Sequence, residues 1–147
     1  MVHFFFGLPI LALFLAYSHA PVTLAELLWF PVIVLVQLIL TAGLGLLLAA
    51  LTVHFRDIRD ILSNVLTLWY FATPIIYPWQ HAPDLGKWFL NANPFTHLAI
   101  SYQEVLFFRG PFGHWRWLLA LGAASIAFFL FAYFVFDRLR DTFAEEV

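Results

Sequence analysis

The first residues in this sequence that could do chemistry are six histidines, His3, His19, His54, His81, His97 and His114. A neutral imidazole ligates metals, and its charged form carries protons near neutral pH. None of the six stands at H-x-x-x-H or H-E-x-x-H spacing, so the sequence predicts no metal site. Glu26, Asp84 and Glu104 stand alone, which makes solvated structural roles the expectation for them. The chain has no G-x-x-x-x-G-K-[ST] loop to cradle a triphosphate, no G-x-S-x-G elbow, and no cysteine for disulfides or thiolate ligands. No catalytic residue is therefore assigned. What remains is aromatic: Trp69, Tyr70, Phe71, Tyr77, Trp79, Trp88, Tyr102 and Trp115. Aromatic faces hold the C–H faces of sugars by dispersion and apolar contact, which grips a glycan without trapping it. The same residues also read as an interfacial belt at the membrane border.

The charged residues concentrate in one place. Only 11% of the chain is charged, yet Arg56, Asp57, Arg59 and Asp60 fall together between long uncharged runs. A cluster of that kind lies where water reaches it, and it marks a turn between two membrane spans. On a helix, Ile58, Ile61, Leu62 and Val65 follow i, i+3, i+4, i+7 and make one apolar stripe. Arg56 and Asp60 then stand i, i+4, a local ion pair worth about 0.3 kcal/mol. Two readings stay open on the residues alone: a border loop held out by its charges, or a helix lying on the bilayer surface.

The elements that position these groups follow from composition. With 63% hydrophobic and 20% aromatic residues, and a mean hydropathy of +0.88, the chain is too apolar for a soluble domain. It reads as an all-α integral membrane protein of one transmembrane domain, with about four spans at 2–17, 27–53, 61–77 and 115–136. The apolar start lacks the basic flank of a signal peptide and reads as a span. Within the second span, Thr41, Gly45 and Ala49 form an i, i+4, i+8 stripe of small residues. Either another helix approaches there or the residues are incidental in a lipid-facing helix. Gln37 in the same span reads as an interhelical hydrogen bond. Pro74 kinks or stops the third span.

Segment 78–114 is too polar to be a span and too long to be a simple loop. One short helix is expected from Pro83 and Asp84 to about Leu90. A second starts with Asn93 as N-cap and Pro94 at the first helical position, its apolar face being Phe95, Leu98, Tyr102, Val105 and Leu106. Both helices lie in or dip into the interface. Net charge of −2 with Lys87 as the single lysine excludes nucleic acid as a partner. Arg56, Arg59, Arg138 and Arg140 lie at short span ends, against Lys87, Arg109 and Arg116 spread through the long segment and its border. The positive-inside rule puts the ends and the charged cluster in the cytoplasm, making this a multi-pass protein of the cytoplasmic membrane.

Four motifs occur in a fixed order: FRDI at 55–58, TPIIYP at 73–78, NPF at 93–95 followed by a tyrosine-bearing helix, and RGPF at 109–112. In that order they resemble the membrane subunit of an ABC-2 type exporter, most of all the permeases that export O-antigen, capsule and teichoic acid polysaccharides. The closing FAEEV is similar to how many of these permeases end. The resemblance implies a homodimer of permeases forming a conduit for lipid-linked polysaccharide, with ATP and magnesium bound by separate ABC ATPase subunits and no cofactor in this chain. It also implies that cytoplasmic turns such as Arg56–Asp60 couple to the ATPase, and that 78–114 forms re-entrant helices at the outer mouth. The family has six spans after an initial amphipathic helix, and this chain begins at what matches the third. The missing parts are expected in a longer reading frame or on another chain. Two alternatives are a membrane enzyme acting on polyprenyl-linked sugars, for which no span carries the needed carboxylate, and a truncated scaffold that transports nothing.

Overall fold

The computed structural model describes residues 6–7, 9–10, 13, 17, 28–54, 58–75, 84–107 and 111–143. Among them the regular structure is entirely helical, in five continuous elements: α1 Trp29–His54, α2 Ile58–Ala72, α3 Asp84–Ala92, α4 Pro94–Leu106 and α5 Trp115–Phe143. Phe6, Gly7, Pro9, Ile10, Leu13 and Tyr17 are helical as well.

At 26 residues α1 is about 39 Å long, and at 29 residues α5 is about 43 Å. Both carry stretches long and apolar enough to cross a bilayer, Trp29–Thr52 and Trp115–Leu139. A helix is what such a sequence must form in hydrocarbon, because every backbone N–H and C=O has to be satisfied within the segment. Their outer surfaces remain uncovered: Leu35, Leu38, Ile126, Leu130, Phe131 and Phe134 are all exposed. An apolar surface of that extent fits lipid rather than water.

The inner faces of α1 and α5 pack together. Ile33, Val36, Leu40, Gly43 and Ala50 are buried on α1, and Leu118, Ser125 and Ala132 on α5. Steps of three, four and seven residues bring one narrow stripe of each helix to the seam, as in shallow left-handed crossings. The partners also give the direction. Trp29 meets Phe112, Val36 lies against Gly122, and Gly43 lies against Phe128 and Phe129. Positions rise together on both sides, so α1 and α5 run the same way.

At 15 residues α2 is about 22 Å long. Pro74 lies in a turn directly after it, so within the described residues the proline ends the helix rather than bending it. The carbonyls that would have continued the ladder find other donors: Thr73 Oγ1 donates to Trp69 O at 2.9 Å and Thr73 N to Tyr70 O at 3.2 Å. At the junction of α3 and α4 the expected cap is present. Asn93 is extended (φ −85°, ψ 116°), its side chain accepts from Phe95 N at 3.0 Å, and Pro94 starts the helix.

Helix α4 differs from the expected amphipathic helix in one respect. Leu98, Val105 and Leu106 are buried as its apolar face requires, but Thr96, His97 and Ser101 are buried too. Both sides are covered, because α1 and the start of α5 meet α4 in one cluster with Ile33, Val36, Leu40, Phe112 and Leu118.

Candidate functional site

Two polar assemblies flank α4, and an apolar cavity opens beside the first. The first joins the end of α2 to the α3–α4 junction. Asn93 does three things at once: its Oδ1 accepts from Phe95 N and from Trp69 Nε1 at 2.9 Å, while its Nδ2 donates to Thr73 Oγ1 at 3.1 Å. Nearly three turns along α4, Gln103 Nε2 donates to the Pro74 carbonyl at 2.8 Å. The TP turn and the NP cap, 20 residues apart, are therefore one hydrogen-bonded corner. A non-helical backbone between spans needs such partners, since no lipid group replaces them.

Beside this corner lies a cavity of about 610 Å³ walled by α1, α2 and α4. Its wall is largely apolar, with Leu44, Leu48 and Leu62 among its lining, and Trp69, Tyr70 and Tyr102 reach it. Tyr102 Oη donates to Gln37 Oε1 at 2.6 Å, which is the interhelical bond expected of an amide inside an apolar span. Phe30 packs edge-on against Tyr102, with ring centroids 5.8 Å apart.

The second assembly lies on the other side of α4, toward α5. His97 Nδ1 is 3.0 Å from His114 Nε2, and His97 Nε2 is 3.0 Å from Asn91 O. A carbonyl can only accept, so His97 carries its proton on Nε2, its Nδ1 accepts, and His114 donates from Nε2. Both rings stack with Trp117, His97 nearly parallel to it with centroids 5.2 Å apart. Glu104 Oε2 receives the backbone N–H groups of Gly113 (3.1 Å) and His114 (3.0 Å), which fixes the turn that presents His114. Burial, and secondarily the charge of His97, lower His114 from 6.5 to about 4. Among the described residues no group of three or more His, Cys, Asp or Glu side chains is placed to hold a metal.

The aromatic residues singled out by sequence do not form one surface. Trp69, Tyr70 and Tyr102 share the cavity. Phe71 is exposed at the end of α2, Trp88 is exposed on α3, and Trp115 is exposed with the Arg116 guanidinium 5.4 Å from its ring centroid. None of these three lines the cavity. Tyr77 and Trp79 lie outside the described residues, as do Arg56 and Asp57. Arg59 and Asp60 stand in the first turn of α2, with side chains outside the described set. Pro74 is buried in the turn, where its carbonyl serves the corner.

Sequence reasoning missed three groups: the second and third bonds of Asn93, the pairing of His97 with His114, and the bracing role of Glu104. A search for metal-type histidine spacing cannot find partners 17 residues apart across a turn. The TPIIYP and NPF motifs were visible, but not that they touch.

Residues 1–107 match the family model of the ABC-2 type transporter. Over 150 residues the chain is 39% identical to an O-antigen export system permease protein RfbA of Myxococcus xanthus, covering 100% of this chain and 56% of that relative. Two proteins of the same name from Klebsiella pneumoniae are 28% and 27% identical over 145 residues, covering 98% of this chain and 55% of each. The chain thus spans about half the length of the curated relatives it matches. No solved structure matches it.

Proposed function

The chain belongs to the ABC-2 type transporter family, and from that premise we propose that it forms part of the permease of an exporter moving lipid-linked polysaccharide across the cytoplasmic membrane. The observation that carries this reading is the 39% identity, along the full chain, to a protein named as an O-antigen export permease. Two copies of the permease enclose the conduit, and a separate ABC ATPase subunit supplies the energy, since no phosphate-binding loop occurs in this sequence.

The topology supports a multi-pass arrangement. Helices α1 and α5 run in the same direction, so if both span the membrane, the chain between them recrosses it. The recrossing element is assigned to α2, and α3 and α4 then lie at the face where α1 and α5 begin. With the apolar run that precedes α1 in the sequence counted as a span, this reading has four spans, with the charged cluster at 56–60 in the cytoplasm. Trp69, Tyr70 and Tyr102 offer sugar-binding faces along the route. Phe71, Tyr77, Trp79, Trp88 and Trp115 belong to the outer mouth.

Coupling to the ATPase runs through Arg56, Asp57, Arg59 and Asp60. In the double variant R56A/R59A, membrane insertion is expected to be unchanged, while the amount of ATPase subunit that co-purifies falls and export falls with it. Undiminished co-purification and export would remove the cluster from the coupling path.

A further inference from the structure

The histidine pair is not needed by the reading above, and its surroundings are unusual for a helix packed in a membrane protein. His97 is 8% exposed on α4, His114 precedes α5, and the two rings, stacked with centroids 5.2 Å apart, share one N···N hydrogen bond of 3.0 Å. Only one proton can occupy that bond. With both rings neutral, His114 donates and His97 accepts. One added proton is tolerated, because the bond can be made from either side and the remaining nitrogens still find a carbonyl or water. A second added proton places N–H against N–H and two like charges side by side, which costs free energy in a site of low dielectric.

From this geometry we infer that His97 and His114 form a proton-sensitive clasp which docks α4, and α3 with it, on α5, closed while the pair holds at most one extra proton and open when both rings are charged. The groups around it support that role. From α4, Glu104 binds the backbone of Gly113 and His114, and so holds the turn without engaging either ring. From α5 the contact is the uncharged Trp117, and the nearby cation Arg116 sits over Trp115. From α3 the contact is the carbonyl of Asn91; Asp84 and Lys87 belong to the same helix, with side chains outside the described residues. On the topology proposed above, the clasp faces the outer compartment.

The sign follows from His114. Its pKa is about 4 in the closed form and returns toward 6.5 when the ring is released. A base lowered on closing weakens closure as pH falls. Closure is at full strength above 6.5, weakens by up to about tenfold per pH unit below it, and levels off below about 4. Because His114 is only half-buried, an overall loss of about tenfold between pH 7 and 5 is expected.

Hydrogen exchange on the full chain in lipid nanodiscs, with the intrinsic chemical rates divided out, reads this directly. Protection of the α4 amides in the native chain should fall about tenfold over that range. The H114Q variant keeps a donor for His97 Nδ1 but cannot be protonated, so its protection should stay flat. Glu104 and its bonds to the Gly113 and His114 backbone are present in both proteins, so the two differ only in the side chain at 114. Flat protection in the native chain, or a parallel fall in H114Q, overturns the clasp. If H114Q does not fold, the imidazole ¹⁵N shifts of the native chain decide: at pH 7 His97 must be protonated at Nε2 and bare at Nδ1, and the reverse overturns it.

Discussion

The seam between α1 and α5 is held by shape, whereas the corner between α2, α3 and α4 is held by polar atoms. Along the seam the close contacts are carbon on carbon, with Gly43 under Phe128 and Gly122 under Val36. At the corner, Asn93, Trp69, Thr73, Gln103 and Pro74 are joined by hydrogen bonds of 2.8–3.1 Å. The difference reflects the solvent. In lipid, apolar side chains gain little by leaving hydrocarbon for one another, so a seam of two spans depends on close approach and dispersion. Where a helix stops inside or beside the membrane, its freed carbonyls and N–H groups have no water to turn to. A seam therefore tolerates loss of a polar atom and suffers from added volume, while a corner behaves the opposite way.

The comparison is broken first at Asn93. Asn93→Ala removes the cap on α4, worth about 1 kcal/mol, strands the Trp69 indole N–H, and takes from Thr73 Oγ1 the donor it accepted from, leaving that hydroxyl its bond to Trp69 O. A loss of about 3 kcal/mol is expected, read as a drop in the unfolding midpoint when the chain in mixed micelles is titrated with denaturing detergent. Asn93→Asp keeps the acceptor for Trp69 and Phe95 but loses the donor to Thr73, so it should recover about half of the loss. If Asn93→Ala is silent, the corner is not held by these bonds.

A second break falls on the seam. A Cβ added at Gly43 would lie 2.9 Å from Phe128 Cδ1 and 3.2 Å from the Phe129 Cα. A ring can turn aside, but the backbone of α5 cannot, so Gly43→Ala pushes the helices apart. About 2 kcal/mol of destabilisation is expected in the same titration. The substitution removes no hydrogen bond, so a neutral result would show that α1 and α5 are not in contact in the membrane.

The two regions were also unequally legible in the sequence. Long apolar runs announced α1 and α5, and the Asn-Pro pair announced the start of α4, because length, hydropathy and capping are local properties of the chain. The seam itself was not readable. The stripe Thr41, Gly45 and Ala49 marks a small face on α1, but all three are exposed, and the buried glycine is Gly43, about 200° around the helix from Gly45. Which small face is used depends on where Phe128 and Phe129 come to lie, and that is set by α5, dozens of residues later. The corner failed for the same reason. Each of its motifs was visible, but a hydrogen bond between residues 20 or more apart is a property of the fold and not of either motif.

Gly45 supplies the finest test of the comparison. Apart from the adjoining backbone of its own helix, no described atom lies within 4 Å of the position its Cβ would take, in contrast to Gly43 two residues earlier. Within a single copy of the chain, Gly45→Ala should therefore meet no obstacle, and replacing glycine in a helix interior should add about 0.5 kcal/mol of stability. The expected outcome in the detergent titration is a midpoint equal to or slightly above that of the native chain. A loss comparable to that of Gly43→Ala would mean that a helix backbone presses on this second face, and it would have to come from outside the described residues. If that loss also grew smaller on dilution of the protein into excess lipid, the helix would belong to another molecule, and the small face of α1 would be a seam of the same carbon-on-carbon kind as the one with α5.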